Sequence, residues 1–178
     1  MGAGDVSDTA FERAGGVLIR ALTGMSVEQL RTQPAGPESN SIGWLSWHLS
    51  RVHDQGFSNL LGRKKTAWLA ERWYEKFDLP SEIGSGGRST LDDVRAFDPI
   101  DSQTLIGYWE AARSRSREFL AGLRDEELDS PTPTHHGGPP GPETYKITIA
   151  RVTGDTIQHI GQVAYARGLI DEHGWYGA

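Results

Sequence analysis

The sequence predicts an all-α fold, a four-helix bundle with one long crossover between its second and third helices. Three observations carry this. Apolar residues recur at alternating steps of three and four in separate segments, which is the spacing of one buried helix face. Apolar and polar residues never alternate for long, and β-branched residues sit mostly at helical spacing, so strands are not expected. The stretch from about Gly62 to Pro99 is too long for a tight turn between antiparallel neighbours, which calls for a crossover.

The elements follow in order. Phe11, Ala14, Leu18, Ala21 and Met25 step by 3, 4, 3 and 4 and define helix one, with Thr9 and Glu12 placed as a capping box at its start. A short turn at "SVEQL" follows, and "RTQPAGPESNS" breaks the pattern with two prolines. Helix two begins near Ser41, where Ile42, Leu45, Leu49, Val52 and Leu60 fall in one arc of a helical wheel that also contains His48. The crossover includes "TAWLAERWYEKFDLP", read as a short helix or a lid. Helix three places Leu105, Trp109, Ala112, Ser116, Phe119 and Leu123 on its inner face behind an N-cap at Asp101 or Ser102. Arg113, Arg115 and Arg117 read as its solvated face. The proline- and glycine-rich "DSPTPTHHGGPPGPET" leads to helix four, which opens after Pro142. There Ile149, Val152, Thr156, His159, Val163, Ala166 and Ile170 step by 3, 4, 3, 4, 3 and 4, a bundle seam.

At 178 residues the chain suits a single domain spanning 1–178. A net charge of -6 and a pI near 5.5 describe a mildly acidic surface that repels phosphate backbones, so nucleic acid is not an expected partner. No cysteine is present, which excludes disulfides, thiolate metal clusters and a protein thiol nucleophile. The N-terminal stretch lacks a basic segment followed by an apolar one, and no apolar run approaches the roughly 20 residues that span a bilayer, so no membrane association and a cytoplasmic location are expected.

Within the seam of helix four, Asp155 and His159 lie four residues apart and therefore stack on one face, where both can close on a single ion. A third ligand would come from a facing helix, and His48 is the histidine that lies well inside an apolar arc. His53 is rotated by about 140° from it on the same helix, so the two cannot share one metal. Two imidazoles and a carboxylate leave an open position for water or substrate on a divalent metal. Each residue also has a plain structural explanation. Asp155 near a helix start would favour the helix dipole, and a histidine on an apolar face can be a hydrogen-bonded core residue.

The segments "NSIGWLSWHLSRVHD" and "DTIQHIGQVAYARGLI", with "ERWYEKFDLP" between them, resemble the DinB/YfiT-like superfamily over most of the chain. Its members are four-helix bundles that include the mycothiol-dependent maleylpyruvate isomerases and related thiol transferases. The resemblance implies His48, Asp155 and His159 as metal ligands, with zinc ahead of nickel or iron. Asp155 stands where those isomerases usually carry glutamate, one methylene longer. It implies a thiol S-transferase or isomerase acting on a small-molecule substrate with a low-molecular-weight, mycothiol-like thiol. The rival reading is a small-molecule-binding or stress-associated bundle whose site is vestigial.

Gln162 and Arg167 are the candidate substrate-binding residues. Gln162 is one turn beyond His159 and could support it by a hydrogen bond, contact substrate, or simply be solvated. Arg167 could meet an anionic cosubstrate, or only complement a helix C-terminus. His135 and His136 read as exposed loop residues, and the aromatics Trp44, Trp47, Trp68, Trp73 and Tyr74 as packing that could wall a pocket. No catalytic residue is assigned. Tryptophans exposed on a small bundle would make a homodimer reasonable.

Overall fold

The computed structural model describes residues 2–62, 65–133, 143–171 and 175–176. Helix α1 (Ala3–Leu22) starts well before the Thr9–Glu12 box. The Asp5 carboxylate accepts from Gly2 N–H at 3.0 Å and so caps the first turn. Thr9 lies inside the helix and donates its hydroxyl to the Asp5 carbonyl, so the predicted capping box is corrected. Helix α2 (Val27–Arg31) is the "SVEQL" segment, capped by Ser26 and Gln29.

Helix α3 (Ile42–Leu60) begins behind Ser41, whose Oγ accepts from Trp44 N–H. Three short helices occupy the crossover: α4 (Ala67–Ala70), α5 (Trp73–Lys76) and α6 (Leu91–Ala96). Helix α7 (Ser102–Gly122) is capped by Asp101, and α8 runs from Tyr145 to Asp171. Among the described residues an isolated bridge between Pro131 and Thr144 is the sole β feature.

The four long helices are α1, α3, α7 and α8, and α3 packs against both α7 and α8, as does α1. Cross-helix contacts give the directions. On α3 and α7, Asp54 meets Tyr108 and Phe57 meets Phe119, so these two run parallel. Against α8, His48 meets His159 while His53 meets Thr156, so α3 and α8 are antiparallel. Asp8 reaches Arg113 while Gly15 abuts Trp109, which makes α1 and α7 antiparallel. The order is up-down-down-up. Parallel neighbours cannot be joined by a tight turn, because the chain must travel back along the bundle, and residues 61–101 do this.

The crossover is built into the core. Trp47, Trp68, Trp73, Phe77, Phe97 and Tyr108 form one aromatic cluster beneath it, and Trp68 is fully buried. Trp44, Trp47, Trp68, Trp73 and Trp109 are all buried, and Trp175 is half-buried. Arg113 is a second correction. It is 1% exposed, donates to Asp8 at 2.6 Å and to Ser116, and lies over the Phe11 ring. It is therefore a paired core residue, while Arg117 lies on the surface beside Glu12 and Glu110. No helix among the described residues is long and apolar enough to cross a membrane. His135 and His136 lie outside the described residues.

Candidate metal centre

Because α3 and α8 run antiparallel, the first half of α3 faces the middle of α8, and His48 comes opposite Asp155 and His159. One ligand atom from each of the three lies within 4.8 Å of the others. The His159 Nε2 is 3.7 Å from Asp155 Oδ2, and the His48 and His159 rings meet edge-on with centroids 4.8 Å apart. Asp155 stands well inside α8, which begins at Tyr145, so the dipole of a helix start does not account for it.

Each imidazole is oriented through its Nδ1. His48 Nδ1 is 2.5 Å from the Ser85 carbonyl, and the ring stacks on Trp44 with an interplanar angle of 7°. His159 Nδ1 is 2.7 Å from Gln162 Oε1. With an acceptor oxygen at each Nδ1, the proton is assigned there and each Nε2 keeps its lone pair for a ligand. Burial lowers the pKa of His48, opposed by the Ser85 hydrogen bond, and this favours the neutral imidazole that a metal requires.

Asp155 Oδ1 is buried and has no hydrogen-bond partner. A bare carboxylate oxygen inside a protein is costly, and a cation is the natural group to satisfy it. Two nitrogens and a carboxylate suit zinc or another borderline divalent ion. The residues present therefore fit a metal.

The loop at 83–87 completes the site. Ser85 supplies the carbonyl for His48, and Gly86 is required beside it: its φ is +92°, and a Cβ there would stand 2.9 Å from the Trp47 ring and 3.2 Å from His48 Nδ1. Arg51, buried under the crossover, donates to the Ile83 carbonyl at 2.6 Å and fixes the start of this loop.

A cavity of about 390 Å³ opens on His48 and Asp155, with Gln55, Asn59 and Arg151 around it. Gln55, Ser85 and Gly87 also border a larger cleft of about 860 Å³ floored by Trp44, Trp47 and Phe97.

His53 is excluded from the site by its packing. It is wholly buried among Phe11, Phe57 and Trp109, with Nδ1 3.2 Å from Thr156 Oγ1. Burial, aided by the Arg113 charge, lowers its pKa to about 3. Gln162 is brought to the site, against His159. Arg167 is not: it donates to the Ala21 carbonyl at the end of α1 and pairs with Asp171 at 2.6 Å. Arg151 went unnoticed in the sequence, although it precedes Asp155 by the same four-residue step that separates Asp155 from His159. Ser85 carries no local signal at all, since only the crossover brings it to His48.

The fold and the site together define a helical bundle with a candidate His–Asp–His metal centre between its second and fourth long helices. The chain belongs to the DinB superfamily, whose family model matches residues 10–163. It is similar in structure to a conserved protein from Enterococcus faecalis, with a TM-score of 0.83 and 26% identity over 96% of this chain and 98% of that one. No curated protein matches the chain.

Proposed function

We propose that the protein is a metal-dependent thiol S-transferase or isomerase in which His48, Asp155 and His159 hold a divalent ion, zinc ahead of nickel or iron. One observation carries the reading: two imidazoles, each already hydrogen-bonded through Nδ1, converge with an aspartate that has a buried oxygen without a hydrogen-bond partner, and His48 and Asp155 line a cavity. When bound, such an ion lowers the pKa of a coordinated thiol and supplies a thiolate at neutral pH.

The chain's own residues do the rest. Ser85 and Gln162 fix the two imidazole planes, and Trp44 and Trp47 form an apolar wall that limits water beside His48. With no cysteine in the chain, the sulfur comes from a low-molecular-weight cosubstrate, and the neighbouring cleft has room for the electrophile.

Protein purified without a metal-affinity tag should carry about one divalent ion per chain, as a three-ligand site with one open position does. His159→Ala should lose the ion and the thiol-consuming activity while retaining its helical circular dichroism. Metal content at wild-type level in that variant would overturn the ligand assignment. A stoichiometric ion without thiol consumption would leave a binding protein.

A further inference from the structure

Along α8, Arg151, Asp155 and His159 follow one another at single-turn intervals, so a guanidinium, a carboxylate and an imidazole form one column facing the α3 side. Asp155 and His159 belong to the metal cluster, and Arg151 is the next group up the column, bordering the same cavity as His48. Its surroundings hold it loosely. The contacts to Glu143 are 3.4 Å from Nε and 3.4 Å from a terminal nitrogen, and the Arg151 side chain is 40% exposed. Glu143 itself is buried and accepts from the Thr148 hydroxyl at 2.8 Å, so it anchors the back of the guanidinium without enclosing it. Arg151 borders the cavity together with Gln55 and Asn59, which add neutral amides.

We propose that Arg151 anchors the carboxylate of a small organic acid, one helical turn from the metal position, and thereby selects monoanionic substrates; this rests on reading the cavity as the active site. A guanidinium matches a carboxylate with two parallel N–H donors, which gives orientation as well as charge. The charge balance favours a single negative charge. With a divalent ion held by Asp155, the ion and Arg151 together exceed the charges of Asp155 and Glu143 by a single positive charge, which one carboxylate balances and a dianionic phosphate exceeds. The amides of Gln55 and Asn59 serve a carboxylate or carbonyl oxygen without adding charge.

The test uses benzoate, with benzamide as its uncharged counterpart of the same shape, titrated against the full-length protein both as purified and after EDTA treatment. Benzoate should bind wild type in both forms, and Arg151→Gln should weaken it roughly tenfold or more, the loss typical of a charge-assisted pair. Arg151→Lys, which keeps the charge and loses the fork, should fall between them. Benzamide should not distinguish the three proteins. The proposal is overturned if benzoate fails to saturate wild type, if it binds wild type and both variants equally, or if inorganic phosphate binds more tightly than benzoate. The two readings fail separately. Loss of the metal assignment leaves the Arg151 dependence in EDTA-treated protein intact, whereas failure here leaves metal content and thiol consumption at wild-type levels in Arg151→Gln.

Discussion

Helix α3 carries two polar clusters, one facing α7 and one facing α8, and they are finished in opposite ways. Toward α7, Asp54 is fully buried and accepts from Ala67 N–H at 2.8 Å, Trp68 N–H at 2.9 Å, Tyr108 Oη at 3.0 Å and Ser58 Oγ at 3.1 Å. Burial and the neighbouring Asp54 carboxylate push the Tyr108 phenol well above its usual pKa, so it stays a donor. Arg51 lies with its guanidinium 4.5 Å from the Trp68 ring centre. Toward α8, His48 and His159 are each hydrogen-bonded through Nδ1 alone, and Asp155 Oδ1 is buried without a hydrogen-bond partner. The closed cluster is structural, tying the crossover to α3 through the first residues of α4. The open cluster keeps its lone pairs for a ligand. They are linked, because Arg51 fixes the Ile83 carbonyl two residues before the Ser85 carbonyl that orients His48.

The largest expected effect breaks the closed cluster. Asp54→Ala removes the acceptor shared by four donors, and each buried donor left without a partner costs about 1–3 kcal/mol. Chemical denaturation of metal-free protein measures it directly. Asp155→Ala in the same assay should change stability by far less, since the Asp155 side chain is 31% exposed and its Oδ1 has no donor to lose. Equal losses in the two variants would remove the distinction between the clusters.

A second test separates the two histidines of α3. His53 has its folded pKa lowered to about 3 from 6.5, so the unfolded chain takes up the proton first as pH falls. The stability held by neutral His53 is complete above pH 6.5 and is lost progressively between pH 6.5 and about 3. One proton contributes a slope of at most about 1.4 kcal/mol per pH unit. His53→Leu fills the same apolar space and should flatten the dependence of the denaturation midpoint on pH across that window. His48 is shifted in the same direction and remains in the variant, so a residual slope is expected. Wild type and His53→Leu with identical slopes would place the titrating group elsewhere.

These contrasts also show what the sequence could reveal. The seam of α8, the start of α3 near Ser41 and a cap at Asp101, one of two candidates there, were legible because helix faces and caps are local signals. The same periodicity placed Asp155, His159 and His48 on facing helices, and a wheel angle distinguished His48 from His53. Three features were not legible. Arg113 follows a polar spacing, and only the position of Asp8 on α1 shows that it is buried and paired. Ser85 reaches His48 through a crossover whose path no local pattern encodes. Arg167 resembled a ligand-binding residue, yet it serves the end of α1, a tertiary contact that helical spacing does not describe.

The smallest change in fold stability is expected at Gln162, and it sharpens the comparison most. Its side chain meets His159 Nδ1 at 2.7 Å, on an exposed part of α8. In metal-free protein Gln162→Ala should therefore shift stability by no more than about 0.5 kcal/mol, the range of ordinary surface substitutions. Its effect on metal binding should be far larger. Without the acceptor, the proton of His159 is no longer held on Nδ1 and the ring is no longer turned toward Asp155, and loss of such a supporting hydrogen bond typically costs about 10–100-fold in metal affinity. Competition with a calibrated chelator reads this directly, and Gln162→Glu, which restores an acceptor, should recover affinity. If Gln162→Ala binds the ion as tightly as wild type, His159 is held by its packing alone. The open cluster would then need no support beyond the backbone that positions it.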